Sequence, residues 1–194
     1  MGGKGLSRST TENGSKMNIP VLGFCAYSGT GKTTLLASLL PLLRDQGLRV
    51  GVVKHAHHNF EVDQPGKDSY VLRKAGAREM LVVSGGRWAL MVDTEAEGDP
   101  VLQEVLNRFD CSRLDLILVE GFRHESFPKI ELHRPSLGKP LIHPSDSWVI
   151  AVATDEPQSF DTHLPLLDIN RPEVIVAFIV ERFIAGEVAP GSRR

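Results

Sequence analysis

The segment between residues 26 and 33 constrains the fold of this chain more than any other. It reads AYSGTGKT and joins a short apolar run, residues 19–25, to an amphipathic stretch, residues 32–46. An apolar run, a glycine-rich turn and a helix in this order are typical of a phosphate-binding loop, here with Ala26 in place of the first glycine. Gly29 and Gly31 allow the backbone amides to turn toward an anion, because glycine adopts positive φ without steric cost.

The side chains of this loop have the matching chemistry. Lys32 is a point charge for the β- and γ-phosphates, Thr33 offers a hydroxyl to Mg²⁺, and the following helix directs its positive N-terminal end at the phosphates. The residues that we assign to nucleotide binding are Ser28, Gly29, Thr30, Gly31, Lys32, Thr33, Thr34 and, for the base, Asp155.

A nucleotide-hydrolysing site also needs a carboxylate near the metal. Glu120 follows the apolar run 114–119, and a carboxylate at the C-terminal tip of a core strand lies where α/β sheets bind ligands. Asp68 lies in a polar loop after the second predicted strand and is a second candidate, although a role in capping a helix remains open. We therefore predict Thr33, Asp68 and Glu120 as metal ligands, and Lys32, Glu120 and Asp68 as catalytic residues.

Three histidines, His55, His57 and His58, follow the second predicted strand. Imidazoles in such a group ligate transition metals, contact phosphates or exchange protons. Because no cysteine cluster accompanies them, a polar loop near the nucleotide is the favoured interpretation over a metal site.

Base recognition has a weaker signal. The Asn-Lys-x-Asp signature of many GTPases is absent, but Asp155 follows the late apolar run 148–153. A carboxylate there accepts hydrogen bonds from the N1–H and N2–H₂ groups of guanine, which adenine lacks. A simple turn at this position is the alternative interpretation.

Apolar runs that predict buried strands alternate with helical stretches. The predicted strands are 19–25, 49–54, 79–83, 88–92, 114–119, 129–133 and 148–153. The predicted helices are 32–46, 68–75, 100–109 and 172–184. Strand–helix–strand crossovers build parallel sheets, and Gly85-Gly86 predicts a hairpin. We therefore expect an α/β fold, a three-layer α/β/α P-loop NTPase with a mostly parallel sheet and an antiparallel edge hairpin.

Composition limits the classes of function. The net charge is −2, from 22 basic and 24 acidic residues, so no basic footprint for nucleic acid is expected. The chain lacks an apolar run of the ~20 residues that a membrane span needs, and its two cysteines fit a reducing cytoplasm. Residues 1–16 and 189–194 have the composition of disordered tails, which leaves one nucleotide-binding domain over 17–188.

The combined motifs resemble the MobB family, the molybdopterin-guanine dinucleotide biosynthesis B proteins. The resemblance rests on SGTGKTTL at 28–35, KHAHHNF at 54–60, DQPGKDSY at 63–70, AGA at 75–77, LVEGF at 118–122 and KIELHR at 129–134. The pair of blocks at 54–60 and 63–70 is much more specific than the phosphate-binding loop alone.

This resemblance implies a GTP-binding, weakly GTP-hydrolysing homodimer that uses Mg²⁺. It implies an accessory role in molybdenum cofactor biosynthesis, assisting a MobA-like guanylyltransferase, with molybdopterin as a further candidate ligand. Arg73, Arg78, Arg123 and Arg134 are then candidates to contact a phosphate across a dimer.

Two alternatives remain at this stage. A small-molecule kinase has a similar loop and size, but it usually needs a lid with several arginines late in the chain. The second alternative is a non-catalytic nucleotide-binding adapter, in which the loop only stabilises the protein.

Overall fold

The computed structural model describes residues 19–56, 60–94, 98–159 and 161–188 of the 194-residue chain. The predicted tails, 1–16 and 189–194, lie outside the described residues, as do His57 and His58. No helix in these ranges is long and apolar enough to cross a membrane.

The strands and helices follow the predicted order. The strands are β1 (Val21–Cys25), β2 (Val50–Lys54), β3 (Glu79–Ser84), β4 (Arg87–Val92), β5 (Leu116–Glu120), β6 (Lys129–His133), β7 (Val149–Thr154) and β8 (Leu166–Asp168). The helices are α1 (Lys32–Asp45), α2 (Asp68–Lys74), α3 (Leu102–Leu106) and α4 (Pro172–Ala177), and a π-helical segment, Phe178–Ile184, continues α4. The three-residue strand β8 is the one strand of this set that the sequence pattern did not predict, because it is too short to show a period.

Six strands form one parallel sheet in the order β2-β5-β1-β6-β7-β8. Because every strand runs in the same direction, the loops after β1, β2, β5, β6 and β7 all emerge at one edge of the sheet. This edge therefore collects the phosphate-binding loop, Glu120 and Asp155, as the sequence predicts.

The hairpin of β3 and β4 is present and antiparallel, but it does not extend the edge of the main sheet. It forms a separate two-stranded sheet, in which Leu81 faces Leu90 and Val83 faces Trp88. Its strands take their hydrogen bonds from each other, and Arg73 of α2 pairs with Asp93 just beyond β4. These contacts hold the hairpin to α2 rather than to the six-stranded sheet.

Apolar residues on both faces of the sheet give the predicted three layers. One core packs β1, β5, β6 and β7 against α1 and α4, with Leu39, Leu43 and Ile175 fully buried. The opposite face packs against α3 through Leu102 and Leu106. The three-layer α/β/α class expected from the alternating pattern is thereby confirmed.

Strand β6 carries charge into the interior. Ile130 and Leu132 face the α1 side, while Lys129 and Glu131 point to the other face and are almost completely buried. The Lys129 ammonium donates to the carbonyls of Arg123 and Glu125 and lies 2.8 Å from Asp146. The Glu131 carboxylate accepts the backbone amides of Ile142 and His143. These bonds anchor the connections before and after β6 to the sheet, and burial raises the pKa of Glu131.

The ion pair of Arg49 and Asp115 braces the end of the sheet where the strands begin, opposite the site loops. Arg49 donates to both carboxylate oxygens of Asp115, at 2.9 and 2.8 Å, and its backbone amide also donates to Asp115. These bonds lower the pKa of Asp115 from 3.8 to about 2. The pair joins the start of β2 to the start of β5.

We expect Asp115→Asn to destabilise the protein in a pH-dependent way. A carboxylate with a lowered folded-state pKa contributes stability that is fully present above pH 3.8 and is lost as the pH falls toward 2. Urea denaturation of both proteins should show a stability difference at pH 6 that shrinks steadily below pH 4. A difference that stays constant across this range would contradict the assigned role.

Candidate functional site

The loop between β1 and α1 adopts the conformation that its glycines predict. Gly29 has φ +81° and Gly31 has φ +100°, both in the left-handed region. A side chain at either position would be strained in this conformation. Gly31 is the residue that precedes α1, and no side chain among the described residues caps the helix there. The first amides of the 14-residue helix are thus available to an anion.

Two side chains brace the loop from within. The Thr30 hydroxyl donates to the carbonyl of Tyr27 at 2.8 Å, and Thr30 is buried. The Lys32 ammonium donates to the carbonyl of Ala26 at 3.1 Å, so it lies across the loop. Lys32 is therefore near the position where phosphates bound by the loop would lie. Ser28 and Thr34 are exposed beside it.

The hydroxyl of Thr33 and the carboxylate of Glu120 meet at the centre of the site. Thr33 Oγ1 donates to Glu120 Oε1 at 3.0 Å, and Lys54 Nζ lies 3.5 Å from Glu120 Oε2. Lys54 is the register partner of Glu120 in the parallel pair β2–β5. The sequence pattern did not identify Lys54 as a site residue, although a lysine at the end of β2 could have indicated one.

The backbone after Glu120 is held in a strained shape. Gly121 has φ +103°, and Phe122 has φ +51°, which is unusual for a residue with a side chain. The His55 ring stacks on Phe122 with centroids 4.7 Å apart, and the His55 amide donates to the Glu120 carbonyl at 2.8 Å. A Cβ atom on Gly121 would lie 2.6 Å from His55 Cβ. The first histidine of the 55–58 cluster thus fixes the loop that carries Glu120.

Asp68 is the predicted site residue that the structure does not bring to Thr33 and Glu120. It is the first residue of α2 and is solvent-exposed, and its carboxylate makes no hydrogen bond or ion pair with another described residue. Lys67 occupies the N-cap position of α2 and no side chain of the described residues caps the helix, so the capping alternative for Asp68 is wrong. The carboxylate in the first turn suits the positive end of the helix, and its role as a metal ligand stays a prediction.

Asp155 lies beside the phosphate-binding loop through a contact with Arg134. The Arg134 guanidinium donates from Nη1 to Asp155 Oδ2 and from Nε to the carbonyl of Thr30 at 3.1 Å. Arg134 is thus held within its own subunit and next to the loop.

Arg73 is also engaged. It is 8% exposed, contacts Glu61, and lies 2.8 Å from Asp63 Oδ1. These contacts tie the loop after β2 to α2. They make Arg73 a poor candidate for a residue that reaches a phosphate across a dimer.

The arrangement of Thr33 and Glu120 fits Mg²⁺ bound together with nucleotide phosphates. When the threonine hydroxyl donates its proton to the carboxylate, its lone pairs remain for a metal, which is how a phosphate-binding loop and an acidic strand end share Mg²⁺. In the described part of the chain there is no cluster of three His, Cys, Asp or Glu side chains that could hold a metal alone. The predicted metal site therefore depends on phosphate oxygens as additional ligands.

These features can be compared with known proteins. The family model for molybdopterin guanine dinucleotide synthesis protein B, MobB, matches residues 21–155, a range that runs from β1 through Asp155. The chain belongs to this family. It is 53% identical over 167 residues to the molybdopterin-guanine dinucleotide biosynthesis adapter protein of Escherichia coli K12, which covers 86% of this chain and 94% of that protein. The adapter protein of Haemophilus influenzae is 47% identical over 162 residues, covering 83% of this chain and 88% of that protein.

Solved structures agree with the MobB fold. A crystal structure of molybdopterin-guanine biosynthesis protein B superposes with a TM-score of 0.65 and 26% identity, covering 83% of this chain and 98% of that one. A MobB homolog from Bacillus stearothermophilus gives a TM-score of 0.59 and 25% identity, with 84% and 96% covered. The family and fold expected from the sequence motifs are thus confirmed.

The strained turn after Glu120 gives a direct test of this geometry. We expect Gly121→Ala to cost more stability than Gly47→Ala, because both glycines have positive φ but only Gly121 faces a close neighbour. The left-handed strain costs about 1–2 kcal/mol at either position, and the clash with His55 adds about 1–3 kcal/mol at Gly121. Urea denaturation measures both, and equal losses would contradict the packing of His55 against Gly121.

Proposed function

We propose that this chain binds GTP with Mg²⁺ at residues 26–33 and serves as an adapter protein in molybdopterin guanine dinucleotide biosynthesis. One observation carries the nucleotide part of the proposal. The Thr33 hydroxyl donates to Glu120 at 3.0 Å, which joins the phosphate-binding loop to the acidic end of β5. A loop that only stabilised the fold would not need a carboxylate at this position.

In this proposal the phosphates lie over the N-terminus of α1. The backbone amides of residues 29–33 surround them, and the Lys32 ammonium moves from the carbonyls of Ala26 and Tyr27 to the β- and γ-phosphates. Ser28 and Thr34, both exposed beside the loop, add hydroxyl donors. Thr30 keeps the loop in shape through its bond to Tyr27.

Thr33 and Glu120 would hold Mg²⁺, and Asp68 is the third ligand that the sequence predicts. Bound Mg²⁺ neutralises phosphate charge and so supports hydrolysis. Glu120 also orients the attacking water, while Lys54 holds the carboxylate in place through its contact at 3.5 Å.

Hydrolysis is proposed to be slow. Rapid phosphoryl transfer in this class of site usually needs an arginine at the γ-phosphate. Arg73 is held by Glu61 and Asp63, and Arg134 by Asp155 and the Thr30 carbonyl, so neither is aimed at that position. Slow turnover suits a protein that delivers or senses GTP better than one that consumes it.

The adapter role follows from the relatives. Proteins of Escherichia coli and Haemophilus influenzae that cover most of this chain are called molybdopterin-guanine dinucleotide biosynthesis adapter proteins. We propose a MobA-like guanylyltransferase as the partner, with molybdopterin as a further ligand of the complex. The free cysteines Cys25 and Cys111 suit a cytoplasmic location.

The hairpin supports a homodimer. Four apolar side chains share one of its faces and are 47–66% exposed: Leu81, Val83, Trp88 and Leu90. A two-stranded hairpin is at best marginally stable in water unless its apolar face is covered. A second copy of the chain would cover this face and pair with the open strand edges.

A small-molecule kinase remains the weaker alternative. The two arginines between residues 150 and 188, Arg171 and Arg182, pair with Glu173 and Glu187, which are near them in the chain. Neither is placed as a lid over the site.

Phosphate release measured with and without the transferase separates a weak GTPase from an adapter that does not hydrolyse GTP.

We expect Lys32→Ala to weaken GTP binding by about 10- to 100-fold, because a charge-assisted bond to phosphate is lost. Isothermal titration calorimetry with Mg²⁺ measures this loss. Lys139→Ala removes an exposed lysine outside the loop and should leave the affinity unchanged. Unchanged affinity in Lys32→Ala would overturn the assignment of the phosphate site.

We expect Val83→Lys to shift the protein from dimer to monomer in analytical ultracentrifugation, because it places a charge on the apolar face of the hairpin. Leu137→Lys, at an exposed apolar residue outside the hairpin, should leave the dimer intact. A wild-type protein that sediments as a monomer at all concentrations would contradict the homodimer.

A further inference from the structure

A cavity of about 280 Å³ opens between the segment that follows β5 and the segment that precedes β7. Arg123, His124 and Ser126 line it from the first segment, and Ile142 and Trp148 line it from the second. Its volume is close to the ~300 Å³ at which pockets for small organic ligands begin. The cavity is therefore large enough to be examined as a binding site.

The floor of the cavity is an ion pair whose hydrogen bonds are already made. Lys129 Nζ donates to the carbonyls of Arg123 and Glu125 and lies 2.8 Å from Asp146. Asp146 also accepts the backbone amide of Trp148 at 3.0 Å. Because the three ammonium protons and both carboxylate oxygens have partners, the pair makes a rigid floor and leaves recognition of a ligand to the mouth.

The mouth of the cavity carries hydrogen-bond donors that are not in use. The side chains of Arg123, His124 and Ser126 belong to exposed residues and make no hydrogen bond or ion pair with another described residue. Arg123 alone offers five N–H donors in a planar fork that matches a phosphate group. Glu125 also lines the cavity, but its carboxylate accepts the amide of Leu102 at the start of α3, at 3.4 Å. The unused groups at the mouth thus favour an anion.

The other side of the cavity suits a flat ring. Trp148 is half-buried there, and Ile142 beside it in the lining is buried. Aromatic side chains stack on flat ring systems and bury a large apolar area in doing so. A ligand that joins a ring to an anionic group would therefore use both sides of the cavity.

Tyr27 joins this cavity to the phosphate-binding loop. Tyr27 belongs to the loop, and the Arg123 guanidinium lies over its ring, 5.1 Å from the centroid. Tyr27 also packs against the apolar cluster that contains Ile142. Neither Thr33 nor Glu120 lines the cavity. A ligand in the cavity would thus lie next to the bound nucleotide without sharing the residues that hold Mg²⁺.

We propose that this cavity binds a phosphate monoester of a flat heterocyclic ring, with Arg123 on the phosphate and Trp148 against the ring. The proposal rests on the proposed function, in which molybdopterin is a further ligand, because molybdopterin is a pterin that carries such a phosphate. It gives the chain one site for GTP and an adjacent site for the second component of the dinucleotide.

The wild-type protein provides the first test, by calorimetry with 6-hydroxymethylpterin monophosphate as the probe. Saturating Mg²⁺ and guanosine 5′-(β,γ-imido)triphosphate keep the probe out of the phosphate-binding loop. We expect the probe to bind about 10- to 100-fold more tightly than 6-hydroxymethylpterin or inorganic phosphate, because only the probe reaches both sides of the cavity. No binding under these conditions, or equal affinity for the probe and inorganic phosphate, would overturn the proposal.

Variants of Arg123 test the phosphate contact. Arg123→Gln removes the charge from an exposed residue, so we expect the affinity for the probe to fall about 10- to 100-fold, whereas Arg123→Lys should keep part of it. Arg44→Gln removes an exposed arginine at the end of α1 and should leave the affinity unchanged. Wild-type affinity in Arg123→Gln would contradict the assignment.

Tryptophan fluorescence tests the ring contact. The chain has two tryptophans, Trp88 and Trp148, so a Trp88→Phe protein reports on Trp148 alone. We expect the probe to quench this emission with the same midpoint that calorimetry gives. Binding that leaves the emission of Trp148 unchanged would contradict the placement of the ring.

Failure of this inference and failure of the proposed function have different results. If the imidotriphosphate binds and the probe does not, the cavity is not a ligand site and the GTP function stands. If the imidotriphosphate does not bind, the proposed GTP function fails, and the comparison of wild type with Arg123→Gln still decides whether the cavity binds the probe.

Discussion

The site depends on the parallel pairing of β1 with β5, which brings Thr33 within 3.0 Å of Glu120. The threonine is in the first turn of α1, and the glutamate is 87 residues further along the chain. Only the insertion of β5 between β1 and β2 places them together. The left-handed glycines of the loop, the His55–Phe122 stack and the Lys54 contact then hold both partners in this position.

Much of this could be predicted from the sequence, because its signals are local. The loop at 26–33 needs specific residues at fixed spacing, and Glu120 follows an apolar run that reads as a strand whatever its neighbours are. The separate hairpin is different: the sequence predicts its two strands and their pairing, but only the hydrogen bonds of the folded chain show that the hairpin is separate from the main sheet.

Lys54 and Arg134 show what local patterns miss. Lys54 contacts Glu120 because β2 and β5 pair in a particular register, and Arg134 reaches Thr30 because β6 lies next to β1. Strand order and register are set by packing over the whole sheet, so neither contact is encoded near the residue itself. Asp68 differs from these two residues. Its residue type and its place in a polar loop predict a metal ligand, but no contact between described residues brings it to Thr33 and Glu120.

The central claim is that Thr33 and Glu120 act together on Mg²⁺-bound nucleotide. A double-mutant cycle with Thr33→Val and Glu120→Gln, followed by GTP calorimetry with and without Mg²⁺, tests it most directly. We predict that each single variant loses most of the Mg²⁺-dependent part of the affinity and that the double variant loses little more. Independent, additive losses that are the same with and without Mg²⁺ would contradict the account.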